Sequence, residues 1–471
     1  MIIEAFMLFF GYFIIFYMLL VTGSYVLMSL FALFRLKKLR GLDRSEFENT
    51  HIQSIYSKPI SVLVPAYNEE VGVVESIYSL LSLNYPEYEL IVINDGSKDL
   101  TEQVVIEQFA MVPISRVIKQ SIETKPVEAI YQSTIHPNLY LITKINGGKA
   151  DALNVGINFS KYPYFCSIDG DSILEPKSLL RVMKPVLRSG GKVIACGGNV
   201  RIVNNYKVNK GAVFSSELST NPIVLMQIIE YLRAFLLGRI ALSYFNLVLI
   251  ISGAFSVFQK NYVIAVGGYS TDMIGEDMEL VVKLHRYIKD NKEDKRIEFV
   301  ADPVCYTEAP QSLKILRRQR RRWHQGLISS LWKHKKMTLN PKYGGIGLIS
   351  FPYFWLIECL GPIIELLGYL YVILAFSLGK VYYEFAIALL LLFVIYGAIL
   401  SVMSILFEAW SIDTYPRRRD LFRMILLALT ESIWYRPLTL IWRMEGIYHF
   451  LTGKKVWGNM QRVGTKEVND K

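Results

Sequence analysis

Residues 164–171 read YFCSIDGD, a five-residue run, apolar but for Ser167, followed by Asp169-Gly170-Asp171. A short apolar run closed by a turn is the mark of a buried strand, and the two carboxylates then stand in the loop at its carboxyl end. Three upstream stretches share this build: 60–64 (ISVLV), 89–93 (ELIVI) and 139–143 (LYLIT). Helical patterns lie between them. The alternation predicts an α/β domain over 58–326 with a Rossmann-like, mainly parallel sheet and crossover helices. Sheets of this kind place ligands in the polar loops beyond their strand ends, so those loops are where chemistry is sought.

Two carboxylates flanking a glycine make a hard-oxygen site suited to Mg2+ or Mn2+ bridging a diphosphate, with Asp169 and Asp171 as its ligands. Lys149, in GGKADALN at 147–154, offers a compact cation to the same phosphates. After the first strand comes VPAYNEE at 64–70, where Pro65 and Asn68 shape a turn and Glu69 and Glu70 can accept hydrogen bonds from a ribose or base. Asp95, in NDGS at 94–97, adds an acceptor at the same edge. For both stretches the plain alternative is a polar strand-end turn.

Glu276-Asp277, in GEDME at 275–279, follows the glycine-rich GGYST at 267–271. An aspartate opening a helix is often an N-cap; its functional alternative is a general base that takes a proton from an acceptor hydroxyl. Ser252 and Gly253, in SGAF at 252–255, are small enough for a ligand to approach the backbone. In RRQRRRWHQG at 317–326, helical spacing puts Gln319, Arg322 and Trp323 on one face. That face combines an indole for stacking with charged and amide donors. A solvated basic helix, or a nucleic-acid patch, is the competing reading.

The flanks are apolar. The chain is 52% hydrophobic with a formal net charge of +11, and its mean hydropathy of +0.30 points to a membrane before it points to nucleic acid. Basic clusters at 35–40, 317–322, 333–336 and 417–419 sit mostly beside apolar segments, the distribution expected of cytoplasmic flanks. Residues 5–34 read as a retained anchor (domain 1–35), too long for a signal-peptide core, with the chain beyond Arg35 in the cytoplasm. Residues 222–248, interrupted by Glu230, Arg233 and Arg239, read as an amphipathic helix within the catalytic domain. After an interfacial helix at 327–345, the region 346–451 holds spans at 347–378, kinked at Gly361-Pro362, and 384–408. Arg423, Glu431, Arg436, Arg443 and Glu445 break up 421–451, which reads as a hairpin of short helices divided by Pro437. The tail 452–471 is polar and cytosolic. Cys166, Cys196, Cys305 and Cys359 have no paired spacing and read as buried thiols.

Taken in order, Asp95, Asp169-x-Asp171, Glu276-Asp277 and Gln319-x-x-Arg322-Trp323 resemble the D, DxD, ED, QxxRW signature. It belongs to processive family 2 glycosyltransferases such as the cellulose, hyaluronan and poly-N-acetylglucosamine synthases. The resemblance covers about 58–326 and implies a GT-A catalytic fold beside a helical transmembrane region. It implies that Asp95, with Pro65 and the Tyr67-Asn68-Glu69 loop, holds the uridine. Lys149 would face the phosphates, Asp169 and Asp171 would hold Mg2+ or Mn2+, and Asp277 would be the base, with Glu276 beside it. Trp323 would stack on the acceptor sugar, with Gln319, Arg322, Ser252 and Gly253 near acceptor and diphosphate. WGNMQR at 457–462, with Trp457 and Arg462, resembles the segment that closes over the nucleotide in hyaluronan synthases. Gly275 departs from the Thr usual in cellulose synthases.

The implied activity is inverting transfer from a UDP-sugar to a growing glycan acceptor, with glucose and N-acetylglucosamine as the leading sugars. The implied setting is a multi-pass protein of the plasma membrane that contacts the lipid bilayer and passes its β-linked polymer across, with room for accessory export subunits and no nucleic-acid partner. Two rivals remain. A non-processive enzyme adding one sugar to a lipid would share QxxRW, and a transporter with a nucleotide-sensing domain would explain Glu358, Glu365 and Glu431 among apolar helices.

Overall fold

The computed structural model describes residues 2–46 and 57–454 other than 171, 203, 205, 210, 211, 217, 413–417 and 379–395, of which 383 and 387 are described. Asp171, Trp457, Arg462 and the first part of 384–408 therefore lie outside the described residues. The chain divides into two compact units. One comprises Met1–Lys38, Thr220–Leu247 and Pro310–Asn459; the other comprises Leu39–Ser219, Val248–Ala309 and Met460–Lys471.

The second unit is built on strands β1 (Ile60–Ala66), β2 (Tyr88–Asn94), β3 (Met111–Pro113), β4 (Val127–Ser133), β5 (Leu139–Lys144) and β6 (Tyr164–Ile168). Then come β7 (Ile173–Leu174), β8 (Val193–Ile202), the hairpin β9 (Tyr206–Asn209) and β10 (Ala212–Ser216), β11 (Phe255–Gln259) and β12 (Arg296–Thr307). Ten of them form one sheet in the order β3-β4-β5-β2-β1-β6-β11-β8-β12-β7. Its centre, β5-β2-β1-β6, is parallel, and the four runs picked out in the sequence are these strands. β4 runs antiparallel to β5, and β11 antiparallel to both β6 and β8. The sheet is thus mixed rather than mainly parallel. The β4–β5 connection, 134–138, is too short for a crossover and forces the reversal.

Central strands are apolar on both faces because helices cover both; Ile60, Val62, Leu63 and Val64 are fully buried. The helix Lys149–Phe159 lies close on β1 and β2 at Gly156, where an added Cβ would come within 3.0 Å of Leu63 and 3.1 Å of Ile93. In-register parallel pairing, Ala66 beside Asn94 and Leu63 beside Ser167, brings the ends of β1, β2 and β6 to one edge. From that edge emerge the loops carrying Tyr67, Asp95 and Asp169.

His285 faces inward from the helix Glu276–Asp290, and its Nε2 lies 2.9 Å from the Val248 carbonyl. Its buried Nδ1 finds no partner among the described residues. Burial pushes its pKa from 6.5 down to about 4, against the hydrogen bond to Val248, with Lys289 adding to the fall. Below pH 6.5 the unfolded chain binds a proton that the folded chain refuses until about pH 4. Folding stability should therefore fall with pH across this window, by about 1.4 kcal/mol per unit and about 3 kcal/mol in all. Unfolding followed from pH 7 to 4.5 should show this slope, and His285→Gln should flatten it; an unchanged slope in the variant removes His285 as its source.

The other unit is helical. Met7–Lys37, within the helix Ile2–Glu46, and Ile346–Ser377 are each long and apolar enough to cross a membrane; Gly397–Ala409 is a shorter apolar helix. Met7, Ile14, Tyr17 and Met18 pack against Tyr371 and Ala375. The second of these segments breaks at Leu360, before Pro362 in the first turn of Gly361–Ser377. The terminal pair, Arg418–Leu429 and Tyr435–Leu451, is divided at 430–434 rather than at Pro437. Pro437 sits in the first turn of its helix, where no intrahelical N–H bond is lost.

Residues 222–248 also depart from expectation. They form the helix Pro222–Leu232, a π-helical stretch Arg233–Arg239 and the short helix Ile240–Tyr244. Up to Leu247 they group with the helical unit, as does Pro310–Asn459. Their charges are partnered inside that unit: Arg233 pairs with Glu431 at 2.8 Å, and Ser401 Oγ donates to the same carboxylate at 2.6 Å. Arg436 pairs with Glu365 at 2.7 Å, and Arg443 lies 3.7 Å from Glu358.

Candidate active site

The site of the sheet unit is set by how the β2 and β5 ends hold the turn between them. Asp95 is buried at the end of β2, and its carboxylate accepts from Lys144 Nζ at 2.7 Å and from the Gly147 and Gly148 amides at 2.9 and 2.7 Å. Lys144 is fully buried and lies 2.7 Å from Asp151 as well. One ammonium between two carboxylates offsets the cost of burying all three. The sequence gives no hint of Lys144, which lies between motifs. With three donors on it, the Asp95 carboxylate supports the Gly147-Gly148 turn that leads into Lys149. Gly148, at φ +86, takes a conformation that favours glycine.

Lys149 starts its helix with its ammonium on Asp169 Oδ1 and donates to the Gly253 carbonyl at 3.0 Å. Burial alone would lower its pKa. The carboxylates of Asp169, Glu276 and Asp277 outweigh that and hold it above the ordinary lysine value, so it is a cation at neutral pH. Asp169 leaves β6 beside the same stretch, its amide donating to the Ala254 carbonyl at 3.3 Å. Gly170 lies against β1: a Cβ there would sit 3.1 Å from the Pro65 carbonyl.

Glu276 and Asp277 stand half-buried in the first turn of Glu276–Asp290, behind Gly275 at φ +84. The positive end of the helix dipole favours carboxylates there. A Cβ on Gly253 would come within 2.8 Å of Asp277 Oδ2, so this glycine is what lets the 252–254 segment lie against the carboxylate. Ser252 is buried, its hydroxyl accepting from the Ala254 amide at 3.2 Å. Asp169, Lys149, Gly253 and Asp277 thus come together. Their scaffold was not anticipated. Lys283 donates to the Gly268 carbonyl at 2.6 Å and to Ser270 Oγ at 3.1 Å, and Asn154 exchanges hydrogen bonds with the Tyr269 backbone. These tie the glycine-rich loop to both site helices.

The 67–70 loop is clasped to the 97–101 loop. Asn68, at φ +56, receives the Lys98 amide on Oδ1 at 2.8 Å; the Glu69 amide donates to Thr101 and the Leu100 amide to Glu70. Asn68 and Glu70 therefore bind protein, whereas Tyr67 stands exposed at this edge.

Among the described residues no group of three or more His, Cys, Asp or Glu side chains converges as a ready metal cage. The donor chemistry nonetheless fits Mg2+ or Mn2+. Such ions are held by one or two carboxylates together with substrate phosphates, and Asp169 offers a hard oxygen, one-third exposed, at the strand end.

The helical unit carries its own cluster on the helix Leu313–Lys333. Gln319 is buried while Trp323 is exposed on the same side. Arg320, unremarked within the basic run, is buried beneath the indole with Cζ 4.4 Å from the ring centroid. Glu230 holds that guanidinium at 2.9 Å and accepts from the Tyr435 hydroxyl at 2.8 Å. Tyr231 lies beside Trp323, centroids 6.1 Å apart. At Gly446 the helix Tyr435–Leu451 comes close enough that a Cβ would sit 2.8 Å from the Arg321 carbonyl.

Residues 61–265 match the model of Glycosyl transferase family 2, and residues 164–412, more than half the chain, match that of Glycosyl transferase family group 2. A poly-beta-1,6-N-acetyl-D-glucosamine synthase of Staphylococcus epidermidis is 29% identical over 336 residues, 69% of each chain. One of the same name from Staphylococcus aureus (strain COL) is 29% identical over 294 residues, 62% of this chain and 60% of that protein, which is less than two thirds of its length. A mannosyltransferase from Pyrobaculum calidifontis, solved in complex with GDP-Man and Mn2+, shares the fold with a TM-score of 0.50 at 16% identity, covering 94% of this chain and all of that one.

Proposed function

The chain is an enzyme of glycosyl transferase family 2, and from that premise we propose that it polymerises N-acetylglucosamine from UDP-N-acetylglucosamine into a β-linked chain. The observation that carries the proposal is the meeting of Asp169, Lys149, Gly253 and Asp277 at one edge of the sheet. The relatives' named product supplies the sugar.

In this reading Asp277 takes the proton from the acceptor hydroxyl as its oxygen forms the new bond to the anomeric carbon. The bond from that carbon to the diphosphate breaks on the opposite face, so an α-linked donor gives a β-linked product. Lys149 meets the negative charge that gathers on the departing UDP. Asp169, with Asp171, would hold Mg2+ or Mn2+, which when bound neutralises part of that charge. Asp95 and Lys144 keep the Lys149 turn fixed, so the backbone that carries the ammonium needs no reorganisation. Trp323, with Gln319 and Arg322 nearby on its helix, offers the acceptor sugar a stacking surface. The two helices long and apolar enough to cross support placement in a membrane.

The test is UDP release and product analysis on the full chain with individual donors. UDP-N-acetylglucosamine with Mn2+ should release UDP and yield a long polymer, and EDTA should cut the rate tenfold or more until Mn2+ is restored. Preference for UDP-glucose overturns the sugar assignment; a single sugar placed on lipid overturns processivity; full activity in EDTA overturns the metal.

A further inference from the structure

Lys149 and Asp169 are bound to each other, although each is also assigned to the donor: one to its phosphates, the other to its metal. We propose that Lys149 is the resident counter-ion of Asp169 and that it makes divalent-cation binding depend on prior or simultaneous binding of a nucleotide diphosphate. The inference rests on Asp169 as a metal ligand and deepens the reading above.

The ammonium lies against Asp169 Oδ1 and spends a second donor on the Gly253 carbonyl. A divalent ion approaching that carboxylate meets a like charge at contact distance and finds an oxygen already engaged. Lysine and aspartate are about one-quarter and one-third exposed, so water and ions reach the pair. A second carboxylate stands close by, since Gly253, whose carbonyl the ammonium holds, lies so near Asp277 that a Cβ there would come within 2.8 Å of its Oδ2. The site is therefore attractive to cations while its metal ligand is covered by one of the chain's own.

A diphosphate resolves the conflict. Its oxygens give the ammonium a new partner, and Asp169 is released to the metal that the same diphosphate also binds. Only the side chain has to move. Asp95 holds the Gly147 and Gly148 amides, which fixes the backbone that leads into Lys149. The four-carbon stem supplies the travel. Metal and nucleotide then bind with positive coupling, and the factor must be the same whichever binds first.

The experiment measures Mn2+ binding to the full chain by electron paramagnetic resonance of free Mn2+, with and without UDP, for wild type, Lys149→Gln and Lys149→Arg. For wild type, UDP should tighten Mn2+ binding about 10- to 100-fold, and Mn2+ should tighten UDP binding by the same factor. Lys149→Gln should bind Mn2+ about tenfold more tightly than wild type without UDP, and its coupling should shrink by about the same factor. Lys149→Arg, keeping the charge, should stay close to wild type, which separates removal of the cation from general damage at the site. Wild-type Mn2+ affinity indifferent to UDP, or no tightening in Lys149→Gln, overturns the proposal while leaving the metal assignment standing. Failure of every form to bind Mn2+, with or without UDP, overturns the metal assignment and the proposal with it.

Discussion

Asp277→Asn is expected to slow sugar transfer by roughly 10²–10⁴-fold, the usual contribution of a positioned general base, while UDP affinity stays close to wild type. The change is nearly isosteric and falls in the first turn of Glu276–Asp290. Its cost to the helix is the loss of a charge–dipole interaction of about 0.3–1 kcal/mol. The loss in rate corresponds to about 3–5 kcal/mol on the barrier. That gap separates a lost base from a loosened helix. Donor affinity should survive because Asp169 and Lys149 are untouched, and the turn that leads into Lys149 stays held by Asp95. Single-turnover transfer beside UDP binding on the same preparation reads both quantities. Near-normal polymer yield from Asp277→Asn would remove it as the base and move the assignment to Glu276 in the same turn.

The parts of this fold that are legible in the sequence depend on neighbours close along the chain. A strand buried on both faces is apolar over most of its length, which is why 60–64, 89–93, 139–143 and 164–168 stand out, and parallel pairing brings their ends to one edge. Partnerships across long separations leave no local trace. Arg233 among apolar residues suggests a surface helix until Glu431 and Ser401 are found opposite it. Asp95 looks like a ligand group because an aspartate at a strand end commonly is one. Only the structure supplies Lys144 and two backbone amides as further partners of its carboxylate. Arg320 was detectable in principle. Counting one helical turn from the buried Leu316 reaches Arg320 and then His324, all on the inward side. Six basic and amide residues in a row hid that period, since composition alone does not say which arginine faces in.

That inward arginine shapes the second large effect. Trp323→Ala should lower polymer yield by about two orders of magnitude, the scale of removing a tryptophan anchor from a binding surface. The indole is 43% exposed, yet its ring is not free to swing. Arg320 lies under it and is held by Glu230, which in turn receives the Tyr435 hydroxyl, and Tyr231 stands alongside. A side chain held on one side and open on the other is a fixed platform, and a sugar ring stacking there gives up little of the indole's freedom. Truncation removes the platform but none of the groups proposed to bind the donor. UDP affinity should therefore be unchanged, and UDP should still be released as water replaces the acceptor and free N-acetylglucosamine accumulates. The diagnostic quantity is the ratio of UDP released to sugar incorporated. It should rise sharply in Trp323→Ala and fall back in Trp323→Phe, which keeps a ring on the Arg320 guanidinium. A ratio unchanged in Trp323→Ala, with polymer at normal yield, would make Leu313–Lys333 a basic surface helix and put the acceptor elsewhere. A rise in both variants alike would mean that acceptor binding requires the indole itself, its N–H included, rather than an aromatic face at that position.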